Sequence, residues 1–198
     1  MTFNRGAAGW WVMTFLALAI AGYAIAVLAI PAMGPPFVLA LKQEQPLIAW
    51  AHFGAGAVAL AVGAFQLNAR LRVRFLNWHR WMGRLYVACV AVGGVAGLVM
   101  ARTAQGGMVT VIGFGMLGVG WLLTTGLAWR AILARDQIEH RRWMIRSYAL
   151  TYAAVMLRLQ IPLGMALGID FITAYKVISF AAWVPNLMFA EWWLRRRA

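Results

Sequence analysis

Polar and apolar positions along the chain alternate in long blocks rather than with a helical or strand period. Uncharged apolar runs of about 17 to 25 residues are long enough to cross a hydrocarbon core of about 30 Å as helices. Six such runs are present, at about 10–30, 47–67, 85–100, 108–133, 147–167 and 174–194. Each is continuous and rich in Ala, Leu and Gly, without the alternating ten-residue segments of a membrane barrel. The pattern therefore predicts an all-α, polytopic integral membrane protein: a single domain, 1–198, built as a six-helix transmembrane bundle. The first run is longer than the 7–15 apolar residues of a secretory signal, so it is expected to stay as a helix.

Composition agrees with this and adds little: 64% of residues are hydrophobic and 12% charged, against about 45–50% and 25% in soluble domains. The net charge of +13 adds more once it is placed along the chain. Arg5, then Arg70, Arg72, Arg74, Arg80 and Arg84, then Arg130, Arg135, Arg141, Arg142 and Arg146, then Arg195, Arg196 and Arg197 fall on one side of the six runs. Lys42, Arg102 and Lys176 fall on the other. The positive-inside rule then puts both termini in the cytoplasm and the chain in a bacterial cytoplasmic (inner) membrane, with its basic loops against anionic lipid headgroups. Nucleic acid is excluded as a partner, because the cations sit in loops between spans and match no nucleic-acid motif. Cys89 lies inside an apolar run and can form no disulfide within the chain.

Two cytoplasmic segments repeat. Residues 80–86 read RWMGRLY and residues 142–148 read RWMIRSY, each at the entry to a span and each preceded by a histidine, His79 or His140. The repeat suggests a duplicated helical hairpin. Arg80 and Arg84 share a helix face, as do Arg142 and Arg146, so each pair could clamp a phosphate, a carboxylate or a haem propionate. The simpler alternative is an interfacial belt of Trp and Tyr with snorkelling Arg.

His52, Gln66, HRWMGRLYV at 79–87, HRRWMIRSYALT at 140–151 and Arg158 together resemble the bacterial membrane-protein family called domain of unknown function 2306, over roughly residues 47–160. That resemblance implies a membrane location and no particular activity. A local likeness to haem A synthase and other b-type cytochromes rests on His79, Arg80, Gly83 and Arg84, which match an HRxxGR element of a haem-binding helix. It implies haem b; by position His79 and His140, on the same side, are the histidines that could pair as iron ligands, with the motif arginines Arg80, Arg84, Arg142 and Arg146 as candidate propionate contacts. His52 lies about 7–8 Å into the second span from the other side and cannot share that iron.

His79, Gly83, Tyr86, Val90, Gly93 and Gly97 follow helical spacing, a face of modest residues that would admit a flat cofactor or a closely packed helix. His52 is read as a proton carrier, a quinone hydrogen-bond partner, a single haem ligand or a structural histidine. Arg158 falls near mid-membrane, where an arginine costs about 2.5–3.5 kcal/mol on insertion scales and normally faces the bundle interior with a partner. No Asp or Glu is available in mid-span. Arg158, Gln160, His52 and Asn186 are therefore candidate ligand-binding residues for a quinone headgroup, a propionate or a lipid phosphate, with Ser179 sharing the Asn186 face of the sixth span. Three functions compete: a redox-associated protein binding haem b or quinone, a carrier or channel for a small anionic or lipophilic solute, and a structural or assembly factor. No nucleophile and base, phosphate loop or metal-ligand motif points to a catalytic reaction.

Overall fold

The computed structural model describes residues 5–196, and every regular element among them is helical. Arg197 of the basic tail falls outside the described residues. The helices are α1 (Arg5–Ala29), α2 (Pro36–Glu44), α3 (Pro46–Gln66), α4 (Ala69–Arg74), α5 (Leu76–Ala101), α6 (Met108–Leu133), α7 (Gln137–Ala166), α8 (Phe171–Ala181) and α9 (Val184–Arg195). Five of them, α1, α3, α5, α6 and α7, are long and apolar enough to cross a membrane.

The sixth expected span is instead the pair α8 and α9, broken at Ala182–Trp183. Pro185 lies in the first turn of α9. It has no N–H for the carbonyl four residues back, and its ring would clash with that carbonyl in a continuous helix. The carbonyl concerned, Ala181, accepts from Gln160 Nε2 at 3.2 Å. Asn186 Nδ2 donates to the carbonyls of Ala182 at 3.1 Å and Ala149 at 3.2 Å. Both amides thus replace helix bonds that the break forgoes, as non-helical backbone inside a bundle requires.

Two short helices were not expected. In α2, Lys42 Nζ donates to the carbonyls of Val27, Ile30 and Met33 at 2.7–3.2 Å, so one of the few cations at this end caps α1. A cation is favoured there because the last carbonyls of a helix carry its negative dipole end. The other short helix, α4, begins at Asn68, whose side chain accepts from the amides of Arg70 and Leu71.

Packing runs α1–α3–α5–α6–α7, with α8 against α6 and the second half of α7, and α9 against the first half of α7. Contacts from α3 and α1 back to α7 close the bundle. Apolar burial supplies little drive between helices in lipid, so fit must do it. Small residues provide that fit: Ala17, Ala59, Ala64 and Ala128 are fully buried. Between α5 and α6 the fit is reciprocal. A Cβ on Gly94 would come 2.7 Å from Leu122, and one on Gly118 would come 2.7 Å from Leu98.

Candidate functional site

Two polar clusters stand out, one at each end of the bundle. At the arginine-poor end, α3 makes a single π-helical turn over Trp50–Gly54, and His52 sits in its middle. Such turns release a backbone carbonyl and are frequent at functional sites. His52 Nδ1 lies 2.9 Å from the Gly93 carbonyl on α5. The glycine face of α5 makes room for it, since a Cβ on Gly97 would come 2.9 Å from the same nitrogen. The Gly93 and Gly97 stripe therefore serves close packing around an imidazole and does not hold open a slot for a flat cofactor.

Arg158 points into the same region. Its Nη1 donates to the Ala154 carbonyl at 3.0 Å, and its guanidinium carbon lies 6.0 Å from the Tyr23 ring centre on α1. Nε is buried without a partner, and Arg158 joins no ion pair among the described residues. His52, Tyr23 and Tyr175 lie within electrostatic reach of it. Tyr175 belongs to a cluster of rings, stacked on Phe171 at 5.1 Å and tilted against Phe114 at 5.1 Å and Phe37 at 6.2 Å. This end therefore gathers one cation, one imidazole and a cluster of aromatic rings packed on one another. Gln160 is two residues from Arg158 and so leaves the helix on a different side. Its Nε2 serves the α8–α9 break, while its Oε1 is buried without a partner. Asn186 is likewise engaged at that break.

At the basic end the two motif copies share local geometry. Arg84 lies 4.9 Å over Trp81 and Arg146 lies 4.5 Å over Trp143, the same cation–π contact at the same spacing. The tyrosines do not join an interfacial belt: Tyr86 and Tyr148 are both buried, packed where Gly63 of α3 leaves space. Trp81, by contrast, is 66% exposed.

Beyond this shared core the copies diverge. Arg142 pairs with Glu139 at 2.8 Å, and Arg146 makes a two-pronged bond to Glu191 of α9 at 2.5 and 3.0 Å. Arg80 and Arg84 form no ion pair among the described residues. His140 Nδ1 lies 2.9 Å from the Ala128 carbonyl, and His79 and His140 are within electrostatic reach of each other. His79 lines a groove of about 450 Å³ between the end of α3, α4 and the start of α5, and His140 is not part of its lining.

A buried hydroxyl network joins α5, α6 and α7. Tyr86 Oη lies 2.7 Å from both Ser147 Oγ and Thr151 Oγ1, and Thr125 Oγ1 lies 2.6 Å from Ser147 Oγ. Trp121 Nε1 donates to Thr151 Oγ1 at 2.8 Å. The only sequence sign of it is a scatter of Thr, Ser, Trp and Tyr inside three spans. Among the described residues, no three His, Cys, Asp or Glu side chains are grouped to hold a metal ion.

The model of the family described as "Predicted membrane protein (DUF2306)" matches residues 49–194, from the π-turn to the last turns of α9. No curated protein and no solved structure matches the chain.

Proposed function

We propose, for a chain that belongs to the DUF2306 family of predicted membrane proteins, that it binds the carbonyl-bearing ring of a membrane quinone in the cluster around Arg158. The observation that carries the reading is the Arg158 guanidinium, whose Nε is buried and unpartnered, with the Tyr23 ring 6.0 Å away and His52 and Tyr175 within electrostatic reach. A buried donor without an acceptor costs about 1–3 kcal/mol, more when charged, so a ligand acceptor is favoured there. A quinone carbonyl supplies the acceptor, and the faces of Tyr175, Phe171, Phe114 and Phe37 suit a flat ring. A small anion would use the guanidinium and leave the ring cluster without a role, which favours a quinone over the anion-carrier reading.

Haem b between His79 and His140 has weaker support. The groove beside His79 does not extend to His140, and two of the four arginines expected on propionates are held by Glu139 and Glu191. By the positive-inside rule, the end bearing the repeated motif faces the cytoplasm of a bacterial inner membrane, with both termini on that side.

Purified protein in lipid nanodiscs, extracted with organic solvent and assayed by mass spectrometry, should release quinone. Titration with decylubiquinone should quench tryptophan fluorescence saturably. Arg158→Gln should weaken that binding about tenfold or more, as expected for one charge-assisted hydrogen bond. Unchanged binding by Arg158→Gln, or no saturable quenching by the native chain, would refute the proposal. A reduced-minus-oxidised absorption spectrum of the same preparation tests haem independently.

A further inference from the structure

From residue 45 to residue 135 the chain contains no Asp or Glu, yet this stretch carries Arg70, Arg72, Arg74, Arg80 and Arg84, and at its end Arg130 and Arg135, on the basic side. The second motif copy has its own carboxylates, Glu139 and Glu191, paired with Arg142 and Arg146. The first has none, so the counter-charge for its arginines must come from outside this segment.

The groove beside His79 lies within this uncompensated region. Its apolar walls are Phe65, Leu71, Phe75 and Trp78, and its polar groups are Arg72, His79 and Gln66. At about 450 Å³ it falls within the roughly 300–1,000 Å³ of small-ligand sites. Its surroundings are those of a membrane interface: Val73 is 81% exposed, Trp78 67% and Trp81 66%. Apolar and aromatic side chains interleaved with arginine at this density mark the boundary between headgroups and acyl chains. The Asn68 cap and the helix end at Phe75 set α4 so that Leu71 and Arg72 face the groove while Arg70 lies outside its lining.

We infer that this groove binds an anionic phospholipid of the surrounding leaflet, with Arg72 and His79 on the headgroup phosphate and Phe75, Trp78, Leu71 and Phe65 against the glycerol and upper acyl carbons. Charge alone would attract anionic lipid anywhere on this face, at about 1 kcal/mol per surface Lys or Arg. A bound lipid requires in addition that the two groove-lining donors matter more than their neighbours outside it. The site lies at the opposite end of the bundle from Arg158 and stands or falls independently of quinone binding.

Native mass spectrometry of the full chain, released from micelles doped with equal phosphatidylglycerol and phosphatidylcholine, tests the inference. The native chain should retain one phosphatidylglycerol in preference to phosphatidylcholine. Arg72→Gln and His79→Gln should each lower its retention about tenfold, the loss of one charge-assisted hydrogen bond. Arg70→Gln, on the same helix but outside the groove, should retain it. Three results would overturn the inference: equal losses in Arg70→Gln and Arg72→Gln, equal retention of both lipids, or displacement by an equal concentration of soluble glycerol 1-phosphate. Should Arg72→Gln fail to fold, the comparison of His79→Gln with Arg70→Gln decides the outcome.

Discussion

Replacing Tyr86 with Phe removes one hydroxyl from a buried polar network that links three helices. Tyr86 is completely buried, and its hydroxyl is 2.7 Å from Ser147 Oγ and 2.7 Å from Thr151 Oγ1. The network ends on two helix carbonyls, with Thr125 2.8 Å from Trp121 O and Thr151 2.9 Å from Ser147 O. Four hydroxyls supply four protons for five such contacts, because each hydroxyl donates once. The protons can therefore run in either of two directions, from Thr125 through Ser147 and Tyr86 to Thr151 or the reverse. In each direction one end carbonyl gives up its hydroxyl bond and keeps its backbone one.

Phe at position 86 cuts this chain in the middle. Ser147 still has Thr125 and Thr151 still has Trp121, so no polar atom is left wholly unpaired. Two contacts disappear, but the end carbonyl that had given up its hydroxyl bond regains it, so the net loss is one hydrogen bond, worth about 0.6 kcal/mol on average and about 1.7 at most within membranes. We expect a destabilisation of about 0.6–1.7 kcal/mol, or a fall in thermal midpoint of about 1–7 °C at about 2–4 °C per kcal/mol for a chain of this size. Tryptophan fluorescence during heating in detergent reads this directly, since the chain has 11 Trp. The stricter test is a double-mutant cycle with Ser147→Ala, which should show non-additivity of about 0.5 kcal/mol or more. Additive effects, or a Tyr86→Phe midpoint equal to that of the native chain, would show that the network does not couple these helices.

Two further outcomes concern the fold. Gly63→Ala should cost about 1–3 kcal/mol by overpacking, because its methyl group would run into the Tyr148 ring with Tyr86 close behind; Gly126→Ala, with nothing within 4 Å, should be near neutral in the same melting assay. Asp170 caps α8, and bonds from the Thr173 hydroxyl and from the Thr173 and Ile172 amides hold its carboxyl below the ordinary range. Its contribution is thus complete above the unfolded value of about 3.9 and is lost as pH falls through the lower folded value. The melting temperature of the native chain should fall as the pH drops below about 4, and Asp170→Asn should reduce that fall without abolishing it, since the Glu191 carboxylate paired with Arg146 also takes up a proton there.

The sequence by itself was enough to identify an all-helical membrane bundle, although the helices that carry the third and fifth apolar runs begin at Leu76 and Gln137, before those runs start at residues 85 and 147. A helix in lipid must satisfy its own backbone, so each span is encoded locally by a long apolar run. Arg158 and His52 also stood out locally, because a polar group is conspicuous in an apolar run. The break in the last span was missed although Pro185 was visible, since its tolerance depends on Gln160 of α7 reaching the freed Ala181 carbonyl. The partner of Arg146 was missed because Glu191 is 45 residues away and meets it only when α9 packs on α7. The same holds for the tyrosines of the repeated motif. Their residue type and position suit a headgroup belt, and only the space above Gly63 draws both into the core. Partners of this kind depend on how each helix is rotated against its neighbours. Gly and Ala contacts between helices set that rotation, and no single run of residues records it.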